Sequence, residues 1–203
     1  NSITYTFTDI NGCTNSDTSA ITILPIPVIN LAGNPSDLCV NANTITLQAS
    51  PAGGTWSGFV LNGNQFNPSQ AGIFTHTLIY TYANQCTNKD TIHITVHALP
   101  IIQLTSTSTK LCENASPISL QATPTGGTWS GASTNGSFTP SASTIGTNTI
   151  YYQYTDNFAC VSQDSIQLTV YALPTIAFTI PSPVCNSSNS IPLQATPSGG
   201  LWS

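Results

Sequence analysis

The phrase ISLQATPTGGTWSG occupies residues 118–131, ITLQASPAGGTWSG occupies 45–58, and IPLQATPSGGLWS occupies 191–203. A phrase of this length written three times restricts the chain to an array of one structural unit. Trp56, Trp129 and Trp202 stand 73 residues apart, and Pro27, Pro100 and Pro174 stand 73 and 74 apart. Asp17, Asp90 and Asp164 keep the same step, as do two cysteine series, Cys39–Cys112–Cys185 and Cys13–Cys86–Cys160. The unit is therefore about 73–74 residues long, and 203 residues hold two whole units and two parts.

Within a unit the residues alternate as strands do. ITYTFT puts Ile3, Tyr5 and Phe7 on one face and threonines on the other; Leu78, Tyr80, Tyr82 and Ile150, Tyr152, Tyr154 repeat this. After a turn holding a cysteine, DTIHITVHALP and DSIQLTVYALP place Ile92, Ile94, Val96 and Ile166, Leu168, Val170 on an inner face. Strict alternation with threonine and aromatic residues predicts half-buried strands, here paired as hairpins. No window carries a helical stripe, and Asn62-Gly63 and Asn135-Gly136 are tight-turn signals. Short strands at this spacing predict an all-β fold of tandem immunoglobulin-like (Ig-like) sandwiches stacked end to end.

Named as in such a sandwich, strand A is IIQLTS, B is ISLQAT, C carries GTWSG, a short E holds SFTP, and F and G are the hairpin. Trp56 and Trp129 then fall where an indole packs between sheets, with Tyr80 and Tyr152 as further core residues. Residues 1–27 form only an F–G hairpin, 28–100 and 101–174 are complete repeats, and 175–203 form only A, B and the start of C. A lone hairpin is marginal in water. Either the chain is a window from a longer array, the preferred expectation, or its two ends complete each other between neighbouring subunits.

Charged residues make up 4 % of the chain, against about 25 % in an ordinary soluble domain. Two Lys and no Arg leave nothing to displace counterions from a phosphate backbone, so no nucleic-acid partner is expected. A basic membrane-surface helix is excluded likewise, and no apolar run approaches the roughly 20 residues of a membrane span. No leader is visible at Asn1, so export would use a signal outside this stretch or already removed.

Six cysteines, none in a CxxC pair, predict structural disulfides and an oxidising compartment rather than a zinc site. Pairing within a unit would give Cys39–Cys86 and Cys112–Cys160. In an Ig-like sandwich the A–B turn and the F–G turn lie at opposite ends, roughly 20 Å apart, whereas a disulfide needs Cα atoms about 4.4–6.8 Å apart. The A–B turn of one unit faces the F–G turn of the next if units stack. This favours Cys39–Cys160, with Cys13, Cys86, Cys112 and Cys185 paired to neighbouring repeats or subunits. A shifted strand assignment would restore the within-unit pairs.

The pattern LP…LC…ISLQATP.GGTWSG…F.P…YxYTD…C…D[ST]IxLTVYALP resembles the tandem Ig-like repeats of very large secreted adhesins in Bacteroidota, including those linked to gliding and type IX secretion. The resemblance covers the whole chain and is specific at GGTWSG, the paired cysteines and the ALP junction. It implies an extracellular or cell-surface location. It also implies O-glycosylation at Asp-Ser/Thr followed by an aliphatic residue, which nominates Thr91 and Ser165. Thr18, in DTS, departs from that motif at its third position and is the weaker candidate.

The functional expectation is a structural and adhesive segment of an extracellular filament or adhesin stalk, stiffened by short linkers and disulfides. Its partners would be neighbouring copies or repeats, with host or surface glycans at a tip outside this chain. The alternative is a carbohydrate-binding or accessory module of a secreted polysaccharide-degrading enzyme. No catalytic residue, metal site or cofactor is expected. His93 and His97 share a strand face but stand roughly 13 Å apart, and the second repeat has Gln167 and Tyr171 there. Clustered carboxylates for calcium are lacking.

Overall fold

The computed structural model describes residues 1–59, 61–179, 186, 190 and 192–203. Strands β1 (Ser2–Thr8) and β2 (Thr14–Ala20) form the first hairpin. The first complete repeat contains β3 (Asp37–Cys39), β4 (Ile45–Thr46), β5 (Thr55–Ser57), β6 (Leu61–Asn62), β7 (Gln65–Phe66), β8 (Thr75–Ala83) and β9 (Thr87–His97). The second contains β10 (Gln103–Ser106), β11 (Lys110–Cys112), β12 (Ile118–Thr123), β13 (Thr128–Gly131), β14 (Ser137–Phe138), β15 (Gly146–Thr155) and β16 (Val161–Tyr171). Strands β17 (Ala177–Thr179) and β18 (Gln194–Thr196) follow.

Each complete repeat is a two-sheet sandwich of Ig-like topology. In the second, one sheet runs β11-β16-β15-β13 and the other β10-β12-β14. In the first, β3-β9-β8-β5 faces β4-β7-β6, with Asn30 bridged to Ser50 where β10 and β12 pair in the second repeat. The long hairpins β8–β9 and β15–β16 are the expected F–G pairs. Their registers put Tyr80 opposite Asp90 and Tyr152 opposite Asp164.

One element was not expected. The sequence pattern predicts Cys39 and Cys112 in turns between strands A and B. They end short strands, β3 and β11, that run parallel to strand G, with Cys39 beside His97 and Cys112 beside Tyr171. The single central apolar residue of each triplet, Leu38 or Leu111, packs on the core and holds the strand there. A one-turn helix at Pro68–Ala71 and a 3-10 turn at Pro140–Ala142 also interrupt the all-β pattern after strand E.

The cores are built from the inward side of this alternation. Leu47, Phe66, Leu78, Ile94 and Val96 are buried together in the first repeat. Leu120, Phe138, Ile150, Leu168 and Val170 form the equivalent cluster in the second. By contrast, Ile3, Tyr5 and Phe7 of β1 are 59, 71 and 58 % exposed, because no second sheet covers that hairpin among the described residues.

The chain divides into two compact units. One is Asn1–Leu99 together with Asn157–Cys160; the other is Pro100–Asp156 with Val161–Ser203. The four-residue turn Asn157–Cys160 thus packs with the first unit, although it joins two strands of the second repeat.

Candidate functional site

Two constructions recur on this scaffold: a cysteine clamp at the end of strand G and a tyrosine socket at the GG loop. The clamp is complete once. Cys39 is bonded to Cys160, with Cα atoms 5.5 Å apart. Strand β3 reaches the bond through backbone pairing: the Thr95 N–H donates to the Ser36 carbonyl and the Val40 N–H to the His97 carbonyl. Within the first repeat, the eleven residues of β9 separate Cys39 from the turn that holds Cys86. A strand of that length spans about 35 Å, so Cys39 and Cys86 are out of reach of each other.

Side chains support the clamp. The His97 ring lies flat against Phe158, with centroids 3.7 Å apart and planes 13° from parallel. His97 Nε2 sits 2.8 Å from Asp37 Oδ1. The Asp37 carboxyl is held below its usual pKa, first by the Ser36 hydroxyl and then by His97. Ala159 adopts a left-handed conformation at φ +63°, which turns the chain between Phe158 and the buried Cys160. The matching position in the first hairpin is Gly12, at φ +81°. Cys13 and Cys112 are exposed free thiols, and Cys86 is a half-buried one whose Sγ lies 3.8 Å from the Leu24 carbonyl. Cys185 lies outside the described residues.

The socket is complete twice. The buried Tyr80 hydroxyl donates to the Pro51 carbonyl and accepts from the Gly54 N–H, each at 2.7 Å. The Tyr152 hydroxyl donates to Pro124 at 2.8 Å and accepts from Gly127 at 2.6 Å. A Cβ on Gly54 or Gly127 would lie 2.5 Å from the tyrosine ring, so glycine is required for this close approach. Trp56 and Trp129 are half-buried and pack beside Tyr80 and Tyr152, with centroids 5.1 and 4.7 Å apart. The second glycine of GG therefore marks a tyrosine contact about 25 residues downstream. The recurring GG-to-Tyr offset is the sequence signal for this socket, and it spans more residues than any single strand.

The repeats differ beside their tryptophans. In the second, a Cβ on Gly136 would meet the Trp129 indole nitrogen at 2.9 Å; in the first, Gly63 has open space around it. A cavity of about 480 Å³ opens there, lined by Trp56, Gln48, Asn64, Thr55 and Leu47 among others.

The nominated hydroxyls Thr91, Ser165 and Thr18 are all exposed on strand G. In each case the preceding aspartate Oδ1 accepts the backbone N–H of the nominated residue, at 2.8, 2.8 and 2.9 Å. The Thr18 hydroxyl also pairs with Thr4 at 2.8 Å. His93 Nδ1 lies 3.2 Å from the Thr77 hydroxyl, while His97 turns to Asp37. Among the described residues no three His, Cys, Asp or Glu side chains gather in metal-binding geometry. No helix among them is long and apolar enough to cross a membrane.

No known family matches the chain, and no curated protein sequence does. Among solved structures, a Ca2+-stabilized adhesin with which an Antarctic bacterium binds ice is similar over 88 % of this chain, at 16 % identity and TM-score 0.43. The chain spans 58 % of that protein's length. The N-terminal four Ig domains of Dscam1 isoform 7.44 are similar over 79 % of this chain and 51 % of that one, at 11 % identity and TM-score 0.24.

Proposed function

We propose that the chain is a structural and adhesive repeat segment of an extracellular bacterial filament or adhesin stalk. The carrying observation is the bond from Cys39 in one 73-residue repeat to Cys160 in the next, 121 residues away. Such a bond takes the intervening chain out of the path of a pulling force. Persistent disulfides fit an oxidising, extracellular setting, and the sequence resemblance fits the surface adhesins of Bacteroidota. The same resemblance supports O-glycans on the exposed Thr91 and Ser165, where they would add steric and hydration shielding to a weakly charged surface.

Single-molecule stretching tests the mechanical role. Bonded residues release no length, so the reduced chain gains about 400 Å of contour over the oxidised chain, at about 3.3–3.6 Å per residue. Equal contour lengths with and without reductant would contradict the role.

A second reading, a carbohydrate-binding or accessory module, is favoured by the cavity beside Trp56. Its indole flank and the Gln48 and Asn64 amides suit a neutral sugar ring. A glycan array probed with the wild type and Trp56→Ala tests it; binding to one sugar class, lost in the variant, would support this reading.

A further inference from the structure

We propose that the cavity beside Trp56 binds a neutral pyranose sugar and that the turn residue Asn64 opens it, so that the first complete repeat is a binding unit and the second a spacer. The inference rests on the carbohydrate-binding reading; it names the ligand class and the residue that separates the two repeats.

The walls of the site are common to both repeats. Leu47, Gln48, Ala49, Thr55, Trp56 and Tyr80 line the cavity, and each has a counterpart of the same type in Leu120, Gln121, Ala122, Thr128, Trp129 and Tyr152. What differs is the connection from the tryptophan to the buried phenylalanine. Asn62-Gly63-Asn64-Gln65-Phe66 is one residue longer than Asn135-Gly136-Ser137-Phe138. Backbone hydrogen bonds show which turn positions correspond. The Leu47 N–H donates to the Asn64 carbonyl at 2.8 Å, and the Leu120 N–H donates to the Gly136 carbonyl at 2.7 Å. Asn64 and Gly136 therefore hold the same place, each two residues before the phenylalanine. Gly136 lies so close to the indole that a Cβ there would stand 2.9 Å from the Trp129 ring nitrogen. Asn64 carries a Cβ, so its turn cannot rest on Trp56 in that way. The extra residue gives the turn the length to stand off, and about 480 Å³ opens beside the indole.

The lining selects the ligand. No charged side chain lines the cavity, so nothing there would pair with the carboxylate of a uronic acid or the ammonium of an amino sugar. Gln48, Asn64 and Thr55 carry uncharged groups that both donate and accept, as neighbouring sugar hydroxyls require. Half-buried Trp56 supplies an apolar wall for the C–H face of a pyranose. Two of the lining residues are already fixed in place. The Tyr80 hydroxyl is engaged by Pro51 and Gly54. The Gln48 main chain donates to the Asn34 side-chain amide at 2.9 Å and accepts from it at 2.8 Å, and Gln48 Nε2 donates to the Thr46 carbonyl at 3.1 Å. That leaves Gln48 Oε1 to accept from a sugar hydroxyl. The volume falls in the lower half of the range of about 300–1,000 Å³ for small-molecule sites, enough for about one or two sugar rings.

The test applies the full 203-residue chain to an array of neutral oligosaccharides (glucans, galactans and mannans) and of uronate- and sialate-containing ones, followed by calorimetric titration of the best binder. The expected result is binding confined to neutral glycans. Deleting Asn64 leaves Asn-Gly-Gln-Phe, which has the length of the second repeat's turn and puts glycine in the Gly136 place. That variant should bind at least about tenfold more weakly. A gain of function covers the case in which the deletion unfolds the first repeat. Inserting Asn between Gly136 and Ser137, in a chain carrying Trp56→Ala, gives the second repeat the long turn and should restore the binding that Trp56→Ala removes. Binding that survives deletion of Asn64, a lengthened second repeat that stays inert, or binding to acidic glycans only would overturn the inference and leave the carbohydrate reading standing. A chain that binds no glycan would remove both, and the stalk reading would remain.

Discussion

The complete repeats and the flanking pieces carry the same repeat landmarks in opposite physical states. Tyr80 and Tyr152 are buried, doubly hydrogen-bonded and packed beside tryptophan, while Tyr5 projects from its hairpin and Trp202 lies half-exposed. The hairpin register is the same in all three. Strand pairing is thus a local property of the F–G sequence. Burial depends on a second sheet that in the second repeat begins at Gln103, 49 positions before Tyr152.

Removing a core side chain should separate the two states most. Phe138 is fully buried, so Phe138→Ala should cost about 3–5 kcal/mol of the second repeat's stability. Phe7, 58 % exposed, should cost far less when changed to alanine in the monomer. Chemical denaturation of the two variants checks the difference, and equal losses would show that the hairpin is covered.

Breaking the clamp comes next. Cys160→Ser opens a loop of 121 residues, for which chain entropy gives at most about 5 kcal/mol. Cys13→Ser, at an exposed free thiol, should leave the monomer's melting temperature unchanged.

The socket tyrosines should show a smaller effect. Tyr152→Phe leaves the Gly127 N–H and the Pro124 carbonyl without their partner, at about 1–3 kcal/mol. Tyr5→Phe should not change monomer stability, and a denaturation midpoint shift there would mean its hydroxyl is already engaged.

The least effect belongs to Asp37. Its folded-state pKa is depressed, so its contribution is fully present above the unfolded carboxyl value of about 3.9 and is lost as pH falls through the lower folded value. Thermal melts below about pH 4 should therefore destabilise the wild type more than Asp37→Asn, slightly, because the group is exposed and screened by water.

How much of this was legible in the sequence follows from the length of each signal. The long strands β8 and β9 alternate over His76–Tyr80 and Ile92–Val96, and their hairpin could be read directly. The three residues Asp37–Cys39 carry one apolar side chain between two polar ends, too little alternation to announce a strand. Yet that strand fixes which end of β9 Cys39 occupies, and so decides between the cysteine pairings. The tyrosine socket joins Tyr152 to Gly127 and Pro124 through contacts that no window of a few residues contains. The opening beside Trp56 depends on where the Gly63 turn comes to rest, although Asn62-Gly63 and Asn135-Gly136 read alike.

The central claim is that one cysteine clamp ties consecutive repeats together. Peptide mapping of the oxidised monomer under non-reducing conditions tests it most directly. The account predicts a cross-linked peptide containing Cys39 and Cys160. Peptides joining Cys39 to Cys86 and Cys112 to Cys160 would contradict it.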